Sequence, residues 1–107
     1  MKHEQLSQIL QELRAGLAEH YGERLVRLVL FGSQARGDAV PGSDIDMMVV
    51  LKGPVRAHPE IEDTGDVVAA VSLKYDVLVS VIFTSEAEYA AGVMPLFWNV
   101  KREGVFV

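Results

Sequence analysis

Gly32-Ser33-Gln34-Ala35-Arg36-Gly37-Asp38-Ala39-Val40-Pro41-Gly42-Ser43-Asp44-Ile45-Asp46 joins one apolar run to another, and its two ends have separate chemical meanings. Asp44 and Asp46 stand i, i+2, so on a strand both side chains project from the same face. Two carboxylates that close repel each other, and a hard divalent cation relieves the repulsion. An oxygen-only ligand set, with no Cys in the chain and no His nearby, suits magnesium or manganese. At the other end, a Gly-Ser turn after a strand presents backbone N–H groups and a hydroxyl to phosphate oxygens, especially where a helix begins. A phosphate cradle beside metal-binding carboxylates implies metal-assisted chemistry on a nucleotide.

Outward from this stretch, the chain reads as alternating helices and strands. Leu6, Ile9, Leu10, Leu13, Leu17 and Tyr21 recur at three- and four-residue spacing, predicting an amphipathic helix over residues 3–20 that ends near Gly22. Residues 24–31 read as a strand punctuated by Gly32, residues 34–36 as a short helical turn, and residues 37–43 as a loop. Residues 45–51 form an apolar run of strand length, expected to be buried on both faces. Ile61, Val68, Val71 and Tyr75 give a weaker helical stripe, interrupted by Gly65, and residues 75–83 read as the third strand. Ser85-Glu86-Ala87-Glu88 fits a capping box for a helix over 86–91. Pro95 starts another helix that closes at Lys101-Arg102 with Gly104 as its cap, and residues 105–107 suit an edge strand. The expectation is a small α/β sandwich, a mixed β-sheet flanked by helices.

The whole composition bounds the function. The 107 residues suffice for one domain, 1–107, with a real core. Half the residues are hydrophobic and the absence of cysteine excludes disulfides and thiolate metal sites, which fits a reducing cytoplasm. No apolar run approaches the roughly 18–20 residues that cross a bilayer, so no membrane role is expected. The net charge of −5 and ten scattered basic residues argue against direct gripping of a nucleic acid backbone. His3, His20 and His58 show no ligand spacing and read as surface residues, while Trp98, beside Met94, Leu96 and Phe97, reads as core or as an exposed patch.

The spacing of Gly32-Ser33, ten residues and Asp44-x-Asp46 resembles the signature of the DNA polymerase β-like nucleotidyltransferase superfamily. Gly32-Ser33-x-Ala35-Arg36-Gly37 with Ser43-Asp44-Ile45-Asp46 is most similar to its minimal nucleotidyltransferase (MNT) branch, closely over about residues 25–83. The resemblance implies a small nucleotidyltransferase fold and an ATP substrate with Mg²⁺ or Mn²⁺. It also implies three carboxylates, two holding metal and a third activating the attacking hydroxyl. Asp76 is the best match for the third, because a crossover helix would make the second and third strands parallel and bring their starts to one end of the sheet. Asp38, Asp63 and Asp66, in a loop and a helical region, are weaker matches.

On this reading Asp44, Asp46 and Asp76 are the catalytic and metal-binding residues, and Gly32, Ser33 and Arg36 contact the nucleotide. Arg36 is equally suited to phosphate or to pairing with Asp38 or Asp44, and Ser43 is expected to shape the turn. The family resemblance further implies a partner, a HEPN-type toxin, silenced by transfer of AMP to a tyrosine, within a homodimer or a hetero-oligomer with the toxin. Two alternatives stand beside this: an antitoxin that neutralises its partner by binding alone, and a nucleotidyltransferase for small molecules such as aminoglycosides.

Overall fold

Strand 45–51 carries apolar side chains on both faces, so the chain must cover it twice, and the architecture follows from that requirement. The computed structural model describes residues 5–40, 42–92 and 95–107. The elements run α1 (Leu6–Tyr21), β1 (Leu25–Phe31), α2 (Gly32–Arg36), β2 (Ile45–Leu51), α3 (Ala57–Tyr75), β3 (Val79–Ser85), α4 (Glu86–Ala91), α5 (Pro95–Glu103) and β4 (Val105–Phe106). They form one four-stranded mixed sheet in the order β3-β2-β1-β4. β1 lies antiparallel to β2 and β4, and the α3 crossover makes β3 parallel to β2.

Alternate residues of the central strands face opposite layers. Leu28 and Leu30 with Ile45, Met47, Val49 and Leu51 pack under the α1 stripe of Ile9, Leu13 and Leu17. Val29, Met48 and Val50 pack on the other side against Phe97 and Val100 of α5. The first cluster holds most of the apolar burial, and each fully buried aliphatic side chain contributes about 1.5–3 kcal/mol. The parity of β2 then decides where chemistry is possible: Asp46 shares the face of Met48 and Val50, the α5 side.

Several expected local signals are present. Ser85 Oγ accepts from the Glu88 backbone N–H at 3.1 Å, capping α4 as its sequence anticipates. α5 begins at Pro95 and ends before Gly104, with Lys101 and Arg102 in its last turn. Trp98 is exposed and donates its indole N–H to the Gly92 carbonyl at 2.7 Å, while its neighbour Phe97 is buried. His20 is exposed; His3, Pro41, Met94 and the His58 side chain lie outside the described residues. Among the described residues, no helix is long and apolar enough to cross a membrane.

One element departs from expectation. The third strand begins at Val79, not at residue 75, because α3 runs on to Tyr75 and Asp76 caps it. Asp76 adopts the left-handed conformation, φ 51° and ψ 51°, and is the one described non-glycine residue with positive φ. Asp is among the few residues with a side chain that enter this region readily, so the helix stops there rather than at a glycine. Asp76 therefore lies in a turn ahead of β3, not on the strand.

Candidate active site

β1 delivers the chain to Gly32 and β2 leaves from Ile45, so the loop between them returns to the edge it left. Phe31 pairs directly with Asp46 across the antiparallel ladder, which sets Gly32 beside the Asp46 carboxylate. Gly32 is required on two counts. Its φ is +74°, and a Cβ built there would lie 2.4 Å from Asp46 Oδ2. The carboxylate thus rests on bare backbone at the first turn of α2.

α2 is anchored from below. Gln34 is 2% exposed and Ala35 packs against the larger core, which leaves Ser33 and Arg36 on the outer side. Ser33 is half-buried, and its hydroxyl makes no hydrogen bond to protein among the described residues. Its carbonyl receives the Gly37 and Asp38 backbone N–H groups at 2.9 and 3.1 Å, closing the turn. Ser43 has the turn-forming place expected of it: the Val40 N–H donates to its hydroxyl at 2.9 Å, and its own N–H donates to the Val40 carbonyl.

Charge is concentrated here. Asp44 is exposed and Asp46 half-buried. Burial holds the Asp46 carboxyl above the ordinary carboxylate range, repulsion from Asp44 adds to this, and Arg36 partly offsets it. Arg36 donates from Nε to Asp38 at 3.1 Å and from Nη1 to Glu103 at 3.0 Å. Of the two readings open to Arg36, pairing with acids is the arrangement present, with Glu103 of α5 as an unforeseen partner.

The third carboxylate does not join this group. β3 runs parallel to β2 with Ile45 beside Val79 and Asp46 beside Ser80, so the strand position next to Asp46 carries a hydroxyl. Among the described residues, no three His, Cys, Asp or Glu side chains gather closely enough to hold a metal. Asp76 is at the same end of the sheet, in the turn three residues before β3, and is exposed. Two carboxylates still fit magnesium, which usually keeps several waters and takes one or two carboxylates together with substrate phosphates. Asp44, Asp46 and an adjacent hydroxyl-bearing turn supply that donor chemistry. Ser80 and Glu103 are the residues that sequence reasoning missed; correct strand register would have found Ser80.

The chain matches the nucleotidyltransferase domain family over residues 10–94. It belongs to that family. It is 34% identical over 83 residues to a Methanocaldococcus jannaschii protein named “Putative protein adenylyltransferase”, covering 77% of this chain and 56% of that protein. The chain thus spans little more than half of this relative's length. Among solved structures, a “putative minimal nucleotidyltransferase” shares a TM-score of 0.59 and 25% identity, over 98% of this chain and 95% of the other. A toxin–antitoxin crystal structure with AMP-PNP shares a TM-score of 0.66 at 18% identity, over 90% of this chain and 69% of the other, a likeness of fold. The mixed sheet and flanking helices are therefore those of a nucleotidyltransferase domain, and the Gly32–Asp46 hairpin falls within the matched span.

Proposed function

We propose that this chain is a metal-dependent protein adenylyltransferase acting as the antitoxin of a toxin–antitoxin pair. The observation that carries the reading is the contact of the Asp46 carboxylate with the Gly32 backbone, which joins the acidic pair and the nucleotide turn into one site. The name of the archaeal relative supports transfer to protein, and the solved toxin–antitoxin neighbour supports a toxin as the protein modified.

In the reaction, an acceptor hydroxyl oxygen attacks the α-phosphorus of ATP. An O–P bond forms, the bond from the α-phosphorus to the bridging oxygen breaks, and pyrophosphate leaves. Asp44 and Asp46 would hold Mg²⁺ or Mn²⁺, which would supply positive charge against the negative charge of the triphosphate. Ser33 donates its hydroxyl to a phosphate oxygen, and Gly32 admits the phosphates close to the backbone. Arg36 adds positive charge at the flank. Asp76 receives the acceptor's proton, a role supported by its place at the same end of the sheet and by the typical three-carboxylate pattern. The family resemblance makes the acceptor a tyrosine of a HEPN-type toxin. The absence of cysteine suits work in the cytoplasm.

The test is intact mass spectrometry of the protein encoded beside this one, after incubation with this chain, Mg²⁺ and each nucleoside triphosphate in turn. Addition of one or more AMP units, lost with Asp44→Ala, is the expected result. A partner that stays unmodified yet co-purifies with this chain would overturn the catalytic reading in favour of neutralisation by binding.

A further inference from the structure

We infer that Glu103, at the end of α5, is a positioning residue that holds the Arg36 guanidinium at the flank of the Asp44–Asp46 pair and away from it. The inference rests on the reading that these two aspartates hold the metal.

Parity places the parts together. Asp46 faces the α5 side of the sheet, and α5 packs on that face through Phe97 and Val100. The helix ends within reach of α2, where Glu103 Oε2 accepts from Arg36 Nη1 at 3.0 Å. Asp38 accepts from the Nε of the same guanidinium at 3.1 Å, so two carboxylates grip it at separate nitrogens. The two grips are unequal. The Asp38 side chain is 61% exposed and lies in the loop leaving α2, whereas that of Glu103 is 23% exposed and fixed to a packed helix.

The end of α5 is itself held firmly. A Cβ at Gly104 would lie 2.3 Å from the Val100 carbonyl oxygen and 2.5 Å from Val29 Cγ1, so the chain passes there tight against β1. The next two residues pair with β1, Val105 with Leu30 and Phe106 with Val29. Glu103 thus reaches Arg36 from a backbone fixed to β1, the strand that ends at Phe31 just before Gly32.

The consequence is electrostatic. Arg36 ends the short helix α2, whose first residue, Gly32, lies against the Asp46 carboxylate. With Glu103 neutralised, only the exposed Asp38 still holds the guanidinium, and a cationic side chain with several rotatable bonds is then free to swing towards the carboxylates of the metal site. There it competes with the divalent ion as an internal counter-charge. Glu103 prevents that collapse and leaves the guanidinium available to an incoming phosphate.

The experiment is a double-mutant cycle, with Mn²⁺ alone as the probe and free Mn²⁺ read by electron paramagnetic resonance. Glu103→Gln is expected to raise the half-saturating Mn²⁺ concentration about threefold to fivefold, the scale of a partly exposed ion pair. In an Arg36→Met background the same substitution is expected to change nothing, because the competing cation is gone. An equal effect in both backgrounds, or none in either, overturns the inference. A structural role alone would instead lower the melting temperature in both backgrounds and leave Mn²⁺ affinity unmoved. The Arg36 Nε–Hε nuclear magnetic resonance signal provides a metal-independent readout, sharp in the wild type and averaged by exchange in Glu103→Gln. Wild type that binds no Mn²⁺ would sink the metal reading itself, and an unchanged Arg36 signal in Glu103→Gln would separately overturn the positioning role.

Discussion

β2 and β3 are parallel neighbours, each approached through an aspartate, and the two aspartates have different fates. Asp46 lies inside β2, half-buried, with its carboxylate against Gly32. Asp76 stops three residues short of β3, turned into the left-handed region to cap α3. What separates them is the segment that precedes each. The loop before β2 turns at Gly42, φ +88°, and runs through Ser43 and Asp44 directly into the strand, whereas β3 follows a 19-residue helix that must first be terminated. A carboxylate contributes to a shared site when the strand carries it; as a helix cap, the same residue first satisfies the backbone.

The sharpest way to break this comparison is to neutralise each acid and follow the proposed AMP transfer to a partner. Asp46→Asn is expected to lower the rate on the order of 10³-fold, the several kcal/mol that a metal supplies to transition-state charge. Asp76→Asn, which keeps the left-handed propensity, is expected to lower it about 10²-fold, the lower end for a lost proton acceptor. Equal losses would mean that the turn before β3 brings Asp76 into the metal pair once nucleotide binds. No loss at Asp76 would leave it a cap and nothing more.

Gly32→Ala tests the other half of the contrast. Its Cβ displaces the Asp46 carboxylate without removing it, and a misplacement of that size is expected to lower transfer on the order of 10²-fold. Because the residue also has positive φ, the fold itself should lose about 1–2 kcal/mol in a denaturant titration. Full activity in a fold destabilised by that amount would show that the close contact with Asp46 is dispensable.

What the sequence disclosed follows the same division. β2 is bounded by a polar loop before it and Lys52-Gly53-Pro54 after it, so its limits were legible to the residue. α4 and α5 carried their own start and stop signals in Ser85, Pro95 and Gly104. At the start of β3 two periodicities overlap: Val68, Val71 and Tyr75 continue the helical stripe while Tyr75 also opens an apolar run. Without a Gly or Pro between them, local pattern assigns Tyr75 and Asp76 to the strand, and only the helix cap reveals the true boundary. Glu103 was hidden for a different reason. It is 67 residues from Arg36 and sits beside Lys101 and Arg102, where an acid reads as a solvated helix end. The approach of Gly32 to Asp46 was therefore legible because both lie in one hairpin, whereas the turn at Asp76 and the pairing of Glu103 with Arg36 were not.

Stability measurements sharpen the contrast on a smaller scale. Asp76→Ala places an ordinary residue in the left-handed region and is expected to cost about 1 kcal/mol, while Asp76→Gly costs nothing or stabilises slightly. A reversed order in urea unfolding would show that the Asp76 side chain, rather than its backbone, matters to the fold.

Asp46 should show the opposite behaviour, being destabilising as a charge. Its folded-state proton affinity is raised, chiefly by burial and then by Asp44, so the folded chain binds this proton more tightly than the unfolded chain does. Asp46 therefore favours the fold at pH below its unfolded value, about 3.9, and that contribution is lost as pH rises through the window up to the raised folded value. Above that window the ionised Asp46 is a constant liability, which Asp46→Asn removes. In metal-free buffer at pH 7 the variant should melt a few degrees above wild type, and the gap should close as pH falls towards 4. Saturating Mn²⁺ should close it from the other side, by stabilising wild type and leaving the variant nearly unmoved. A variant that melts below wild type at pH 7 without metal would mean that the Asp46 carboxylate is already neutralised by the protein, and that the acidic pair has no need of a cation.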